Sequence, residues 1–301
     1  MHLIIPLLAS LVFVASLFCV QRAARPRADK KGAGAITVLF FSNQTLAIAF
    51  SFFWPFRESL GGSIQPLSTL WQPLLLALFF VFGLLFTFAA VRHGDISVAT
   101  PVFGLKIFMV VLLLWVLGSE KLGISMWIAA AMAATGVGLI QWTGRGRPRH
   151  VFITIVLALL ASMFYAHFDV LIQSWAPAWG VGRILPITFW FVSIISLPMI
   201  PWVDWHQLKD REITSWVALI SLLTMLQAFM IVGALAYFGD AARINIVFAT
   251  RGMWAVVLAW AIGRSGPSND TEANTTALRI RFLGASLLTL AVIIAIAIPG
   301  T

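Results

Sequence analysis

The sequence predicts an all-α integral membrane protein with about ten transmembrane helices. Of its 301 residues, 60% are hydrophobic and 10% are charged, and its mean hydropathy is +0.96, whereas soluble domains carry about 25% charged residues. Its apolar stretches repeatedly reach about 18 residues, the length that a helix needs to cross a hydrocarbon core of about 30 Å. Lipid is therefore the expected solvent for most of the chain.

The predicted spans follow one another along the chain with short connections. Residues 1–5 contain no Lys or Arg, and five basic residues follow the first span between positions 22 and 31, which reverses the charge order of a signal peptide. The first run is therefore interpreted as an uncleaved span. The predicted bounds are Leu3–Val20, Ala35–Phe56, Leu70–Val91, Val98–Gly118, Ser125–Trp142, Val151–Gln173, Ile184–Trp202, Ile213–Phe238, Ile244–Gly263 and Leu278–Ile298.

The net charge of +9 lies mainly in the loops. The loops after the odd-numbered spans hold fourteen Lys and Arg residues and the other loops hold four, so the positive-inside rule predicts that both termini lie outside. Basic residues placed in this way control topology and argue against a nucleic-acid partner. A single cysteine, Cys19, excludes a disulfide within the chain and a cysteine metal cluster, and neither a metal nor a cofactor is expected.

The two halves of the chain match each other. A shift of 145 residues places Gly94-Asp95 on Gly239-Asp240 and Lys106 on Arg251. This predicts two five-helix repeats, at 1–144 and 150–301. Because each repeat holds an odd number of spans, the second enters the membrane from the opposite side, and inverted repeats of this kind hold a solute site where the copies meet.

Motifs in the first half carry a family resemblance. The fourth span is preceded by Gly94-Asp95 and opens at Pro101-Val-Phe103, it closes at Leu117-Gly118-Ser-Glu120, and the fifth span opens near Trp127-Ile128. This pattern resembles the EamA-type module of the drug/metabolite transporter superfamily, with a degenerate second copy that has Ile246 in place of the proline. The resemblance implies a ten-helix inverted repeat, transport of small metabolites, and termini in the cytoplasm, which conflicts with the loop charges.

Two cations inside predicted spans are the first candidates for a solute site. An ionisable group in a span costs several kcal/mol and usually faces a cavity or a partner. Lys106 and Arg251, which match across the repeat, would attract an anionic solute. The alternative is that their long side chains extend to the nearer interface.

Polar side chains in other spans form a second group of candidates. Asn43 and Gln44 on the second span and Gln227 on the eighth are predicted to contact the solute, although such amides also hold helices together. On the sixth span, His167 and Asp169 lie on different helix faces. Either could bind a proton for coupling, or they are a satisfied core histidine and a paired carboxylate.

The sequence therefore predicts a secondary transporter that works by alternating access, in the plasma membrane or the inner membrane of a bacterium. The expected partners are a small solute and lipid. An enzyme is not expected, because the chain has no HExxH, GxSxG, CxxC or P-loop motif. A non-transporting membrane subunit or receptor remains an alternative, and it predicts solute-independent helix contacts at Asn43 and Gln44.

Overall fold

The computed structural model describes residues 3–24, 34–93, 102–117, 123–141, 148–254, 257 and 275–297. Within these ranges the chain is helical and contains no strand, which confirms the all-α class. Residues 94–101 and 118–122, which carry part of the motif noted above, lie outside the described ranges. The α-helices are α1 (Ile4–Ala24), α2 (Ala35–Ser51), α3 (Trp71–His93), α4 (Lys106–Val116), α5 (Ile124–Gln141), α6 (Pro148–Trp179), α7 (Val181–Ser196), α8 (Arg211–Phe238), α9 (Ala241–Phe248) and α10 (Thr275–Ala297).

Five helical stretches of the described chain are long and apolar enough to cross a membrane. Shorter apolar helices occupy Ile4–Val20, Lys106–Val116, Ile124–Ile140 and Phe282–Ala297. The described helices are therefore consistent with a membrane protein, and the count of ten spans stays a prediction. The five long stretches are Ala35–Phe56, Leu67–Thr87, Phe152–Trp179, Val181–Trp202 and Arg211–Phe238.

The helices differ from the predicted spans in two ways: one boundary lies later in the chain, and two spans are interrupted by turns. The sixth helix continues to Trp179 rather than ending at Gln173, and α7 begins at Val181, because Gly180 takes φ 79° and ψ 141°, a conformation that ends a helix and favours glycine. Turns at residues 104–105 and 249–250 interrupt two helical segments, directly before Lys106 and Arg251.

The chain forms two compact units, each built from both halves of the sequence. Unit 1 contains Met1–Leu7, Phe82–Leu171 and Asp240–Thr301, and unit 2 contains Leu8–Val81 and Ile172–Gly239. These units are defined by contacts within the folded chain, whereas the predicted repeats at 1–144 and 150–301 are defined by similarity between the two halves. The units therefore do not test the repeats, which stay a prediction.

In unit 1, α5 packs closely against α10. The small residues Ala129, Ala130 and Ala133 of α5 are fully buried, and small residues allow helices to pack closely. A Cβ on Gly136 would lie 2.8 Å from the carbonyl oxygen of Gly284, and a Cβ on Gly284 would lie 2.7 Å from that of Gly136. Glycine at both positions is what lets these two backbones approach so closely.

Gly136→Ala is therefore expected to destabilise the protein by about 1–3 kcal/mol, because the added methyl group would push the two helix backbones apart. The matched control is Gly138→Ala on the same helix, where a Cβ meets nothing within 4 Å. That change should be neutral or should stabilise by up to about 1 kcal/mol. Thermal unfolding of both variants in detergent measures the difference, and equal melting temperatures would contradict the packing described.

Unit 2 has an aromatic and polar core. The α2 helix packs against α7 and α8, and the rings of Phe50 and Phe189 stack with centroids 4.1 Å apart. The Asn43 amide donates to Ser196 Oγ at 2.8 Å, and the Ser42 hydroxyl donates to Ser221 Oγ at 3.3 Å. These bonds satisfy polar groups that would otherwise face apolar side chains.

Unit 2 also contains a tight contact between a loop and a helix end. The loop after α2 takes left-handed backbone angles at Gly61 (φ 75°) and Gly62 (φ 73°), and it lies against Gly180. Buried Arg183 donates to the carbonyl oxygen of Arg57 at 3.0 Å and to Glu58 Oε1 at 2.8 Å. Arg183 therefore holds this loop against the start of α7.

Candidate functional site

A buried ion pair in unit 1 joins α4 to α6. Lys106, the first residue of α4, places its Nζ 2.7 Å from Oδ2 of Asp169. The two side chains are only 17% and 4% exposed. Nearly three turns of α6 follow Asp169 before the helix ends at Trp179. This carboxylate therefore lies well inside the helix, whereas the predicted bound at Gln173 would place it near the helix end.

Asn245 of α9 completes the environment of the carboxylate. Its Nδ2 donates to Asp169 Oδ2 at 2.7 Å and to the carbonyl oxygen of Ala241 at 2.9 Å. Three helices thus supply one charged cluster. Removing one partner of a buried ion pair typically costs about 3–5 kcal/mol, because the other charge is left without compensation.

Tyr165 and Arg251 flank this pair. Tyr165 lies one helical turn before Asp169, and its ring centroid is 5.7 Å from Lys106 Nζ, within the range of a cation–π contact. The Arg251 guanidinium carbon lies 4.6 Å from the ring centroid of Phe248. Arg251 also interacts electrostatically with Asp169, Tyr165 and Lys106. The cluster therefore contains two cations and one carboxylate in a region of low dielectric.

A small cavity opens beside the cluster. Its free volume of about 10 Å³ is roughly the minimum that one water molecule requires. Lys106, Asn245 and Arg251 line it, together with Ile107 of α4, Val137 of α5, Phe248 of α9 and the neighbouring residues Phe103, Gly104 and Ala249. The turns at residues 104–105 and 249–250 also border it, as is typical of solute sites formed by interrupted helices.

The structure brings three of the predicted site residues together and leaves four apart from them. Lys106, Arg251 and Asp169 share the cluster in unit 1. His167 points elsewhere, with Nδ1 2.8 Å from the carbonyl oxygen of Met163 in the same helix, so the prediction that it and Asp169 lie on different faces is confirmed.

The other three predicted contacts belong to unit 2. Asn43 donates to Ser196, and Gln44 is hydrogen-bonded to Ser193. Both serines belong to α7. Gln227 is half-buried on α8. Both amides of α2 thus make contacts between helices, and a role of these three residues in solute binding stays a prediction.

Sequence reasoning missed Asn245 and did not connect Tyr165 to the site. One signal for Asn245 was available, since it is an amide within an apolar stretch that also holds Arg251. No group of three or more His, Cys, Asp and Glu side chains that could hold a metal ion occurs among the residues described. The cluster offers charged groups and amide donors for electrostatic binding.

Comparison with known proteins identifies the first half of the chain. The model of the EamA-like transporter family matches residues 2–142. This half is an EamA-like transporter module. The resemblance noted from the sequence is thereby confirmed for residues 2–142, and what this family implies is a membrane transporter of the drug/metabolite transporter superfamily. None of the curated proteins matches the chain.

The fold of the chain also occurs in an experimental structure. A protein known from a crystal structure aligns with a TM-score of 0.69 at 15% sequence identity, and the alignment covers 98% of each chain. At this identity the likeness concerns the fold alone. It extends over both halves of the chain, including the half that the family model does not match.

Proposed function

We propose that this EamA-like protein is a secondary transporter that carries a small anionic metabolite by alternating access between two inverted five-helix repeats. The main observation behind the proposal is that Lys106 and Arg251 line the same cavity, beside a buried carboxylate. Each of the two cations directly follows a turn that interrupts its helix. Charged groups held inside a membrane protein at such cost usually mark a solute or ion pathway.

Helix pairing supports the repeat on which this mechanism depends. In unit 2, α2 packs on α7, and in unit 1, α4 packs on α9 and α5 packs on α10. Each of these pairs joins a helix of the first half of the chain to a helix of the second half, as a two-fold axis between two copies would produce. The interruptions at 104–105 and 249–250 are separated by the same 145 residues that relate the sequences of the halves.

The cluster favours a carboxylate or a similar anion as the solute. Arg presents a planar set of donors that suits an oxyanion, and Lys adds a compact positive charge. The cavity is narrow in this conformation, so a solute of several carbon atoms requires the helices around it to move apart. Such opening and closing is what alternating access supplies.

One observation favours a second function, a non-transporting membrane subunit or receptor. That alternative predicts contacts between helices at Asn43 and Gln44 that need no solute, and both amides make such contacts with α7. A transporter also needs rigid helix pairs, so these bonds fit both functions. Measurement of flux separates the two, because a receptor binds a ligand without moving it.

Proteoliposomes loaded with buffer test the transport proposal. Wild-type protein is expected to accumulate at least one of the radiolabelled anions acetate, lactate, glutamate and phosphate. Lys106→Ala and Arg251→Ala should each reduce uptake about 10- to 100-fold. This reduction corresponds to the loss of one charge-assisted contact of about 1.5–3 kcal/mol. Lys209→Ala, in an exposed position, is the control. Unchanged binding and flux in both site variants would remove the role assigned to these cations.

A further inference from the structure

Asp169 occupies the place that an anionic solute would take beside Lys106. Its Oδ2 lies 2.7 Å from Lys106 Nζ, the separation of a close ion pair. A solute carboxylate that binds this ammonium group must therefore compete with the carboxylate of the protein itself. From this geometry, and resting on the proposed function, we infer that Asp169 is displaced by the solute and takes up a proton, so that the carrier moves an anion together with a proton.

The charge balance of the step is simple. In the empty site, Lys106 is a cation and Asp169 is its anion. When a solute carboxylate pairs with Lys106, the Asp169 carboxylate loses its ion partner in a dry environment, where a single carboxylate is strongly disfavoured. A proton from a hydronium ion on the aqueous side adds to Asp169, and the hydronium ion becomes water. One anion thus enters with one proton, and the net charge of Lys106, Asp169 and the bound solute together stays the same as that of the empty ion pair.

The groups around Asp169 fit this exchange. From α4 it faces Lys106, from α9 it faces Asn245, and Arg251 and Tyr165 lie within electrostatic range. The amide of Asn245 is neutral, and it can donate to either the charged or the protonated carboxyl group. Asn245 therefore holds the Asp169 carboxyl group in place while its protonation state changes.

The same pair has a consequence for the return of the carrier. Lys106 without a counter-ion would be a single buried charge, and reorientation of the helices around such a charge is costly. With Asp169 bound, the charge of Lys106 is balanced in the empty site. The carrier can then return without solute, which permits net transport. Without this carboxylate, only the loaded form reorients easily, and the protein becomes an exchanger.

Asp169→Asn separates these two modes of transport. The variant is nearly isosteric, and its amide retains a carbonyl oxygen for the bond from Asn245. Whichever of acetate, lactate, glutamate and phosphate the wild-type protein carries serves as the probe. Net uptake by the variant should fall about tenfold or more, whereas exchange of labelled for unlabelled solute across the vesicle wall should stay within about twofold of wild type.

Proton movement supplies an independent readout. Wild-type vesicles should make the outer medium more alkaline as the anion enters, by one proton per anion, and their net uptake should rise as the outer pH falls. Asp169→Asn should lose both effects, and Asp169→Glu should restore them. Correct folding of each variant is checked by its elution from a gel-filtration column.

The outcomes distinguish the two proposals. If the wild-type protein carries none of the probe anions, the proposed function fails and this inference fails with it. If wild-type transport is present but Asp169→Asn keeps full net uptake and full proton movement, only the inference is overturned. Loss of proton movement in His167→Gln, with its retention in Asp169→Asn, would assign the coupling to the other titratable group of α6.

Discussion

Asp169→Leu is expected to lower the free energy of unfolding by about 3–5 kcal/mol, whereas the double variant Lys106→Met/Asp169→Leu should recover most of that loss. The single change leaves the Lys106 ammonium buried without its carboxylate, which is the costly step. The double change removes both charges and fills the space with apolar atoms. Replacement of a buried ion pair in this way is often neutral or stabilising.

A thermal-unfolding series in detergent measures both variants against wild type. Arg57→Met is the control, because the Arg57 side chain is 40% exposed and lies 3.6 Å from the exposed carboxylate of Glu58, so its loss should change stability by less than about 1 kcal/mol. The double variant should be stable yet inactive in transport. A double variant as unstable as the single one would mean that Lys106 and Asp169 are not coupled.

Gly62→Ala should be the most damaging of the small substitutions in unit 2. A Cβ at this position would overlap the backbone nitrogen of Gly180, and the backbone φ of 73° already disfavours any residue with a side chain. Backbone strain of about 1–3 kcal/mol and overpacking of about 1–3 kcal/mol both act. The expected loss of stability is therefore about 2–6 kcal/mol.

The neighbouring glycine provides a matched control for this substitution. Gly61 has a φ of 75°, but a Cβ there meets nothing within 4 Å. Gly61→Ala should therefore lose only the part due to backbone strain, about 1–3 kcal/mol. Expression level and melting temperature in detergent report both changes. If the two alanine variants were equally stable, the contact between this loop and the start of α7 would not be as close as described.

The sequence predicted the fold class correctly because a bilayer imposes strong rules. Long apolar runs must be helical when no water is present to satisfy the backbone, so α2, α6 and α8 were predictable from composition alone. The end of α6 was wrong because an apolar pattern does not reveal where a glycine takes a left-handed angle. Gly180 ends the helix at a contact with a loop that is distant in sequence.

The candidate site was predictable only in part. Lys106, Asp169 and Arg251 were found because a charge in an apolar span is conspicuous. Asn245 was missed because its importance comes from its hydrogen bond to Asp169 on α6, which the sequence does not show. The amides of Asn43 and Gln44 look the same in sequence whether they bind a solute or another helix, and only their partners on α7 distinguish these uses.

Each compact unit contains segments from both halves of the chain, and this affects how the protein can fold during its synthesis. The α2 helix is synthesised long before α7, yet its Asn43 and Gln44 side chains find their partners there. Until α7 enters the bilayer, these amides must be met by water, by lipid headgroups or by the insertion machinery. Neither compact unit can close while the ribosome is still translating the first half, so assembly of this protein is a late event that follows synthesis of most of the chain.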